Sequence, residues 1–239
     1  MNLSVCVLGA NGFIGKNLLR GKDTWVGVTR KDLDLLDQHA VDEFFKKKRW
    51  DVVIHCGASL DQESHDTCYK NILMFENVAR NIEGIGKLIY FSSGAGRRGN
   101  PPTDPYGLSK WIVDKRIAQI NDAYSLCIWG CYGPHELSSR FSAICARDGH
   151  VVLEKDRYFD FIDVEDVKKE VDKCIDDSPH KFVDLVYPER LKLSEWALKF
   201  GATCEILDTS SLDPSYVAFS HGELKTYPHV ISNVPRLDT

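Results

Sequence analysis

Along the first 134 residues, short runs of consecutive apolar residues alternate with longer stretches in which apolar positions recur every three or four residues. The runs "LSVCVLG", "TWVGVTR", "DVVIHCGA", "KLIYFSS" and "YSLCIWGCYG" predict strands, and helices are predicted to begin near Ile14, Gln38, Tyr69 and Pro105. Strands that are apolar on both faces and separated by helices require a parallel sheet covered on two sides, with right-handed crossovers. The pattern therefore predicts an α/β fold, a doubly wound, Rossmann-like parallel sheet.

Beyond Pro134 the pattern weakens. "SSRFSAICARDG", "VEDVKKEVDKCID" and "KLSEWALKFGA" read as helices, and from about Thr203 the chain mixes Pro, Ser and Asp with short apolar runs of no clear period. There is no internal repeat, low-complexity tract or long linker. The expected organisation is a core over 1–134 and a small C-terminal cap over 135–239, with elements of the cap returning to the core.

The first candidate chemistry stands at the end of the first predicted strand. "VCVLGANGFIG" places Gly9, Gly12 and Gly15 between that strand and the first helix, with Asn11, Phe13 and Ile14 among them. Glycine permits the tight turn, the close approach of a pyrophosphate to the backbone and the packing of helix on strand, while the helix start offers N–H groups and partial positive charge. The spacing is Gly-x-x-Gly-x-x-Gly, and the strand-turn-helix context makes 1–134 a dinucleotide-binding core. The second strand ends "VGVTRKD", where Arg30 and Lys31 stand at the position that contacts the adenosine ribose. Two cations there favour the extra phosphate of NADP, with NAD the alternative.

The second candidate is "FSSGAGRRGNPPTDPYGLSK", from Phe91 to Lys110. Tyr106 and Lys110 are one helical turn apart and share a face. A lysine ammonium held near a phenol favours the phenolate and brings the tyrosine closer to working pH as a proton donor or acceptor. Ser93, at the end of the preceding strand, is placed to hydrogen-bond the same substrate oxygen, although Ser92 is equally close to the strand end.

Composition narrows the setting. A chain of 239 residues that is 43% hydrophobic and 27% charged is neither disordered nor fibrous, and it can bury one substantial core. A net charge of -5 with mixed signs offers no basic face to nucleic acid, and "KKKR" from Lys46 reads as the solvated end of a helix. The opening residues lack the basic region and cleavage site of a leader, and no run is long enough to cross a bilayer, so a cytoplasmic protein without membrane contact is expected. Eight cysteines without Cys-x-x-Cys spacing read as buried thiols, with no metal site expected.

Together the glycine turn, the serine closing the fourth strand and Tyr-x-x-x-Lys on the next helix resemble the extended short-chain dehydrogenase/reductase family of nucleotide-sugar epimerases, dehydratases and reductases. "DLDLLDQHAVDEFFKKKRWDVVIHCGA" is similar to the adenine-pocket stretch of GDP-fucose synthases and dTDP-4-dehydrorhamnose reductases, and "CYGP" and "YFDFIDVEDV" resemble later family segments. The resemblance spans roughly residues 3 to 200. It implies that Tyr106 is the acid/base, that Lys110 binds the nicotinamide ribose and lowers the tyrosine pKa, and that Ser93 orients the carbonyl. Asp34 and Leu35 would sit by the adenine, and Gly57 and Ala58 would line the cofactor. It also implies a nucleotide-sugar substrate and a possible homodimer through the helix that bears Tyr106, whose apolar positions Trp111, Ile112, Ile117 and Ile120 equally suit packing on the sheet.

Departures from the family pattern select the reaction. Ser93 is followed by "GAGRRG" where the dehydratases carry an Asp-Glu pair, and Ala95 replaces the cysteine with which GDP-fucose synthase epimerises; His135 reads as a loop residue. Hydride transfer with one proton relay is left, and an NADP-type strand end suits net reduction of a nucleotide-diphosphate 4-keto-6-deoxy sugar. A 4-epimerase with tightly bound NAD and a non-catalytic dinucleotide binder are the alternatives. Gly130 replaces the family's asparagine, and Phe159 stands where an arginine often binds the pyrophosphate. Arg140 and Arg157 are the candidates to supply that charge, and Arg97 and Arg98 read as surface cations.

Overall fold

Each apolar run of the first half forms a strand that ends where Gly, Asp or Ser begins. β1 (Val5–Leu8), β2 (Val26–Val28), β3 (Trp50–His55) and β4 (Ile85–Ser93) alternate with α1 (Phe13–Leu19), α2 (Gln38–Lys47), α3 (Asp66–Ala79) and α4 (Pro105–Ile117), and β5 (Ala123–Ile128) follows. This computed structural model describes residues 3–61, 64–177, 180–218 and 228–230. The chain divides into two compact units, Met1–Cys127 with Lys168–Val183, and Ile128–Val167 with Asp184–Thr239.

In the first unit the strand order is β2-β1-β3-β4-β5, and the next strand, β10 (Phe182–Val186), lies beside β5. The pairings of β1 with β2, β1 with β3 and β3 with β4 are parallel. Alternate strand residues Cys6, Leu8, Val53, Leu88 and Tyr90 join Val41, Phe45, Phe75, Val78, Val113 and Ile117 of α2, α3 and α4 in one buried cluster. Their neighbours Val7, Val52, Ile54 and Ile89 are also buried, so the sheet is covered on both faces, as a doubly wound fold requires. Asp37 and Asp104 cap α2 and α4 by accepting the N–H groups of Ala40 and Gly107, and Pro105 occupies the first turn of α4. The basic end of α2 is solvated, and the Lys48 ammonium lies 3.9 Å above the Trp50 ring.

The second unit is less regular. The run "YSLCIWGCYG" is two strands, since after Trp129 the chain leaves β5 and forms β6 (Gly130–Tyr132), which pairs in parallel with β9 (Phe161–Asp163). A side chain at Gly130 would meet Phe159 and Phe161, with ring carbons 2.7 Å from its Cβ, so the asparagine expected there has no room. α5 (Phe141–Asp148), β7 (His150–Leu153), β8 (Tyr158–Phe159), β11 (Leu191–Lys192) and α7 (Leu193–Lys199) complete the predicted helices and add short strands that no period announced. The stretch beyond Thr203 is not structureless: β12 (Thr203–Ile206) pairs in parallel with β7, and β13 (Pro228–Val230) pairs with the Asp184–Val186 part of β10. Tyr132, Phe141, Phe161, Trp196 and Phe200 form an aromatic core for this unit. α6 (Val164–Asp176) belongs to both units by sequence, its second part to the first, where Asp172 receives Lys22 at 2.8 Å.

Among the described residues no helix is long and apolar enough to cross a membrane. All eight cysteines are free thiols, five of them buried.

Candidate active site

The chain leaves β1 toward β2 on one side and returns beside β1 on the other as β3, which opens a crevice at the carboxyl ends of β1 and β3. A cleft of about 380 Å³ lies there, lined by Gly9, Asn11, Gly12, Arg30, Asp34, Leu35, Gly57 and Ala58 of the predicted cofactor residues, together with Leu33, Leu36, Cys56, Ser59, Lys70 and Met74. Gly9 has φ +78, and a Cβ on it would stand 2.7 Å from the Gly57 nitrogen, so the two turns meet backbone to backbone and only glycine fits. Gly12 caps α1, whose first-turn N–H groups lack helical partners, and Phe13, Ile14 and Gly15 form that turn behind the lining. Bare main chain forms one wall, and Leu33, Leu35, Leu36 and Met74 form another, surfaces of the two kinds that suit a dinucleotide.

The two cations at the end of β2 are not equivalent. Arg30 lines the cleft, 3.4 Å from Asp34 in a loose, exposed ion pair, whereas Lys31 is exposed and outside the lining. Asp34 also accepts the N–H of Leu36, and Asn77 of α3 donates to the Leu35 carbonyl, so the segment from Asp34 to Leu36 is fixed from two sides.

Tyr106 and Lys110 lie together on α4, which packs on β4 and on the turn that follows Ser93. Lys110 is buried, and its Nζ donates to Tyr90 Oη and to the Phe91 carbonyl, both at 2.8 Å, while lying 5.6 Å from the centre of the Tyr106 ring. Burial pushes its pKa down to about 8, and Asp114 opposes that shift. Tyr106 is half-buried. Gly94–Arg97 forms a single 3-10 turn after Ser93, whose Oγ accepts the Ala95 N–H at 3.2 Å. That turn presses on α4 so closely that a Cβ on Gly107 would stand 2.7 Å from the Ala95 carbonyl oxygen. Ser92 donates its hydroxyl to Asp114 at 2.8 Å, and Ser93 is buried beside it at the strand end.

Several residues at this site carried no signal in the sequence. Asn71 is buried on α3, exchanges hydrogen bonds with the Ser59 backbone and donates to Ser109, whose hydroxyl donates to the Tyr106 carbonyl. It thereby ties the cleft wall to the helix of Tyr106. His55 ends β3 with neither ring nitrogen hydrogen-bonded, and burial followed by the nearby Lys110 charge pushes its pKa down to about 4, so it is neutral at pH 7. Arg97, expected at the surface, is only 10% exposed and pairs with Asp114 at 3.1 Å. Ile117 and Ile120 pack in the core of the first unit, while Trp111 and Ile112 remain partly exposed.

Arg140 and Arg157 belong to the second unit. Arg140 is exposed at the start of α5, and Arg157 faces Asp213 at 3.6 Å. Phe159, at the position of an expected arginine, is packed between Phe161 and Tyr216, with ring centres 4.5 and 4.9 Å away. Among the described residues no three His, Cys, Asp or Glu side chains are grouped to hold a metal ion.

A doubly wound sheet with a glycine-walled cleft at its switch point, and a Tyr-Lys helix beside the same strand ends, defines a dinucleotide-binding α/β protein of the short-chain dehydrogenase/reductase type. Residues 5–181 match the model of the NAD dependent epimerase/dehydratase family, and the chain belongs to that family, the extended branch of the type. Among solved structures, it is similar to dTDP-4-dehydrorhamnose reductase from Bacillus anthracis in complex with NADP, with 22% identity, TM-score 0.76 and 93% and 90% of the two chains covered. A Bordetella bronchiseptica enzyme in complex with NAD and UDP gives 17% identity, TM-score 0.76 and coverage of 91% and 85%. GDP-mannoheptose C4 reductase from Campylobacter jejuni with NADP bound gives 19%, 0.70, 92% and 90%. At these identities the likeness establishes the shared fold. No curated protein sequence matches the chain.

Proposed function

We propose that the protein is an NADP-dependent reductase of a nucleotide-diphosphate 4-keto-6-deoxy sugar. The observation that carries this reading is the buried Lys110 ammonium beside Tyr106, in the same unit as a glycine-walled cleft that Arg30 lines. NADPH, when bound, supplies the hydride to the ketone carbon. The Tyr106 hydroxyl gives its proton to the ketone oxygen, and Ser93 Oγ donates a hydrogen bond that orients it. Two of the three Lys110 N–H groups are committed to Tyr90 and Phe91, and the third is left for the ribose and the tyrosine. The ammonium favours the phenolate that forms as the proton leaves.

Net reduction is favoured over its family alternatives by what stands next to Ser93. The Gly94–Arg97 turn offers backbone and the buried Ala95 methyl there, with neither a carboxylate pair for water elimination nor a thiol for epimerisation. Arg30 in the cleft favours NADP, and two of the structurally similar enzymes are solved with NADP. Two of the structurally similar enzymes, a dTDP-4-dehydrorhamnose reductase and a GDP-mannoheptose C4 reductase, support a nucleotide-sugar ketone as substrate. Arg140 and Arg157 are the candidates for its diphosphate, and the second unit is its substrate-binding cap. Exposed Tyr69 on α3 and half-buried Trp111 on α4 suit a homodimer face, which sedimentation would test.

The test is NADPH and NADH oxidation against UDP-, GDP-, dTDP- and CDP-linked 4-keto-6-deoxy sugars. Turnover with one nucleotide series and a preference for NADPH is expected. Tight cofactor binding without turnover of any keto-sugar would overturn the reading in favour of a 4-epimerase or a non-catalytic binder.

A further inference from the structure

Asp114 lies one turn beyond Lys110 on α4, and its side chain is 4% exposed. Its Oδ2 accepts the Ser92 hydroxyl at 2.8 Å and stands 3.1 Å from Arg97 Nη1, and its Oδ1 accepts the Ser125 hydroxyl at 2.7 Å. One carboxylate therefore joins the helix of Tyr106 and Lys110 to the end of β4, to the turn after it and to β5. Burying an aspartate, an arginine and a lysine together is costly, and a well-packed apolar residue would hold the same elements as well or better. Such a cluster calls for a role beyond holding the fold.

Geometry supplies one. Ser92 is the last residue but one of β4, so its bond to Asp114 holds the end of that strand against α4. The bond to Arg97 fixes the far end of the turn whose near end Ser93 caps. We propose that Asp114 is the positioning residue of this site, fixing the end of β4 through Ser92 and the Gly94–Arg97 turn through Arg97 against the helix that carries Tyr106 and Lys110. Its effect on proton transfer rests on the reductase reading, and its effect on Lys110 does not. Around the Lys110 ammonium stand Tyr90 of β4, Tyr106 and Asp114 of α4, His55 and Cys56 at the end of β3, and Cys127 of β5, with Arg97 beside Asp114. Asp114 is the one carboxylate of that group, and its charge holds the Lys110 pKa up against burial.

The experiment uses Asp114→Asn, which keeps the shape and loses the charge, with kcat, KM, NADPH affinity and the pH profile measured beside wild type. A kcat lower by about ten- to a hundredfold is expected, as for a misplaced reacting group, with NADPH affinity within about twofold and the basic limb of the profile moved to lower pH. In the cofactor-free protein, NMR of 13Cε-labelled lysine, assigned with Lys110→Arg, should show Lys110 losing its proton at lower pH in the variant. Unchanged kcat and an unmoved Lys110 titration would overturn the proposal. If wild type reduces no keto-sugar, the reductase reading fails and the titration alone decides: a downward shift sustains the role of Asp114, and no shift removes it. Should Asp114→Asn not fold, Ser92→Ala, which spares the ion pair, is expected to lower kcat several-fold at constant NADPH affinity. Full activity in that variant would overturn the tether to β4.

Discussion

Around Gly9 and Gly57 the cleft is walled by main chain and by Leu33, Leu35, Leu36 and Met74, and of the two cations that line it Arg30 is exposed and Lys70 half-buried. Around Lys110, in the same unit, the walls are Tyr90, His55, Asp114 and Arg97, all largely out of water. The first region offers a shaped wall and N–H groups that are present whatever the pH. The second holds ionised groups under a desolvation cost, which moves the Lys110 amine toward working pH. Substitutions should therefore separate binding from chemistry cleanly if the comparison is right.

The largest separation is expected from Lys110→Met. Turnover should fall on the order of a thousandfold, within the range of a lost acid–base partner. Stability should respond differently. Below pH 8 the Lys110 ammonium is charged in both folded and unfolded chains, and the folded chain bears the whole cost of burying it. Between about pH 8 and the unfolded value near 10.4 the unfolded chain binds more protons, so wild type gains stability as pH rises. Urea unfolding from pH 7 to 10 should show the variant's relative stability highest below pH 8 and declining above it. A difference constant with pH would contradict the burial of a charged lysine.

Gly9→Ala attacks the other region. Its methyl group would collide with the Gly57 backbone at a φ that L residues rarely adopt, so NADPH affinity should fall by roughly a hundredfold and stability by about 1–3 kcal/mol. Calorimetric titration and urea unfolding measure the two. The smallest effect is expected from Arg30→Ala, where NADPH affinity falls about tenfold while NADH affinity is retained. Equal loss for both cofactors would remove Arg30 from the 2′-phosphate.

What the sequence discloses follows the same division. The strands, the glycine turn and the order of helices in the first unit were legible because continuous apolar runs, glycines and caps act locally. Lys110 was legible from its spacing to Tyr106, but Asp114, four residues further on, carried no signal, because pattern reading sends a lone helical carboxylate to solvent. The structure buries both, with Ser109, on the face of α4 that packs inward. Arg97 and Ser92 were opaque for the same reason, since their roles come from a carboxylate that lies distant in sequence. In the second unit, strands of two to four residues around an aromatic core leave no period to read, and the break at Trp129 is set by β9, which lies some thirty residues on.

The most direct test of the account is Tyr106→Phe, assayed for NADPH affinity and for reduction of whichever keto-sugar the wild-type protein turns over. The account predicts affinity within about twofold of wild type and turnover lower by at least about a hundredfold. Turnover close to wild type would contradict it, because the proton would then come from a group other than Tyr106.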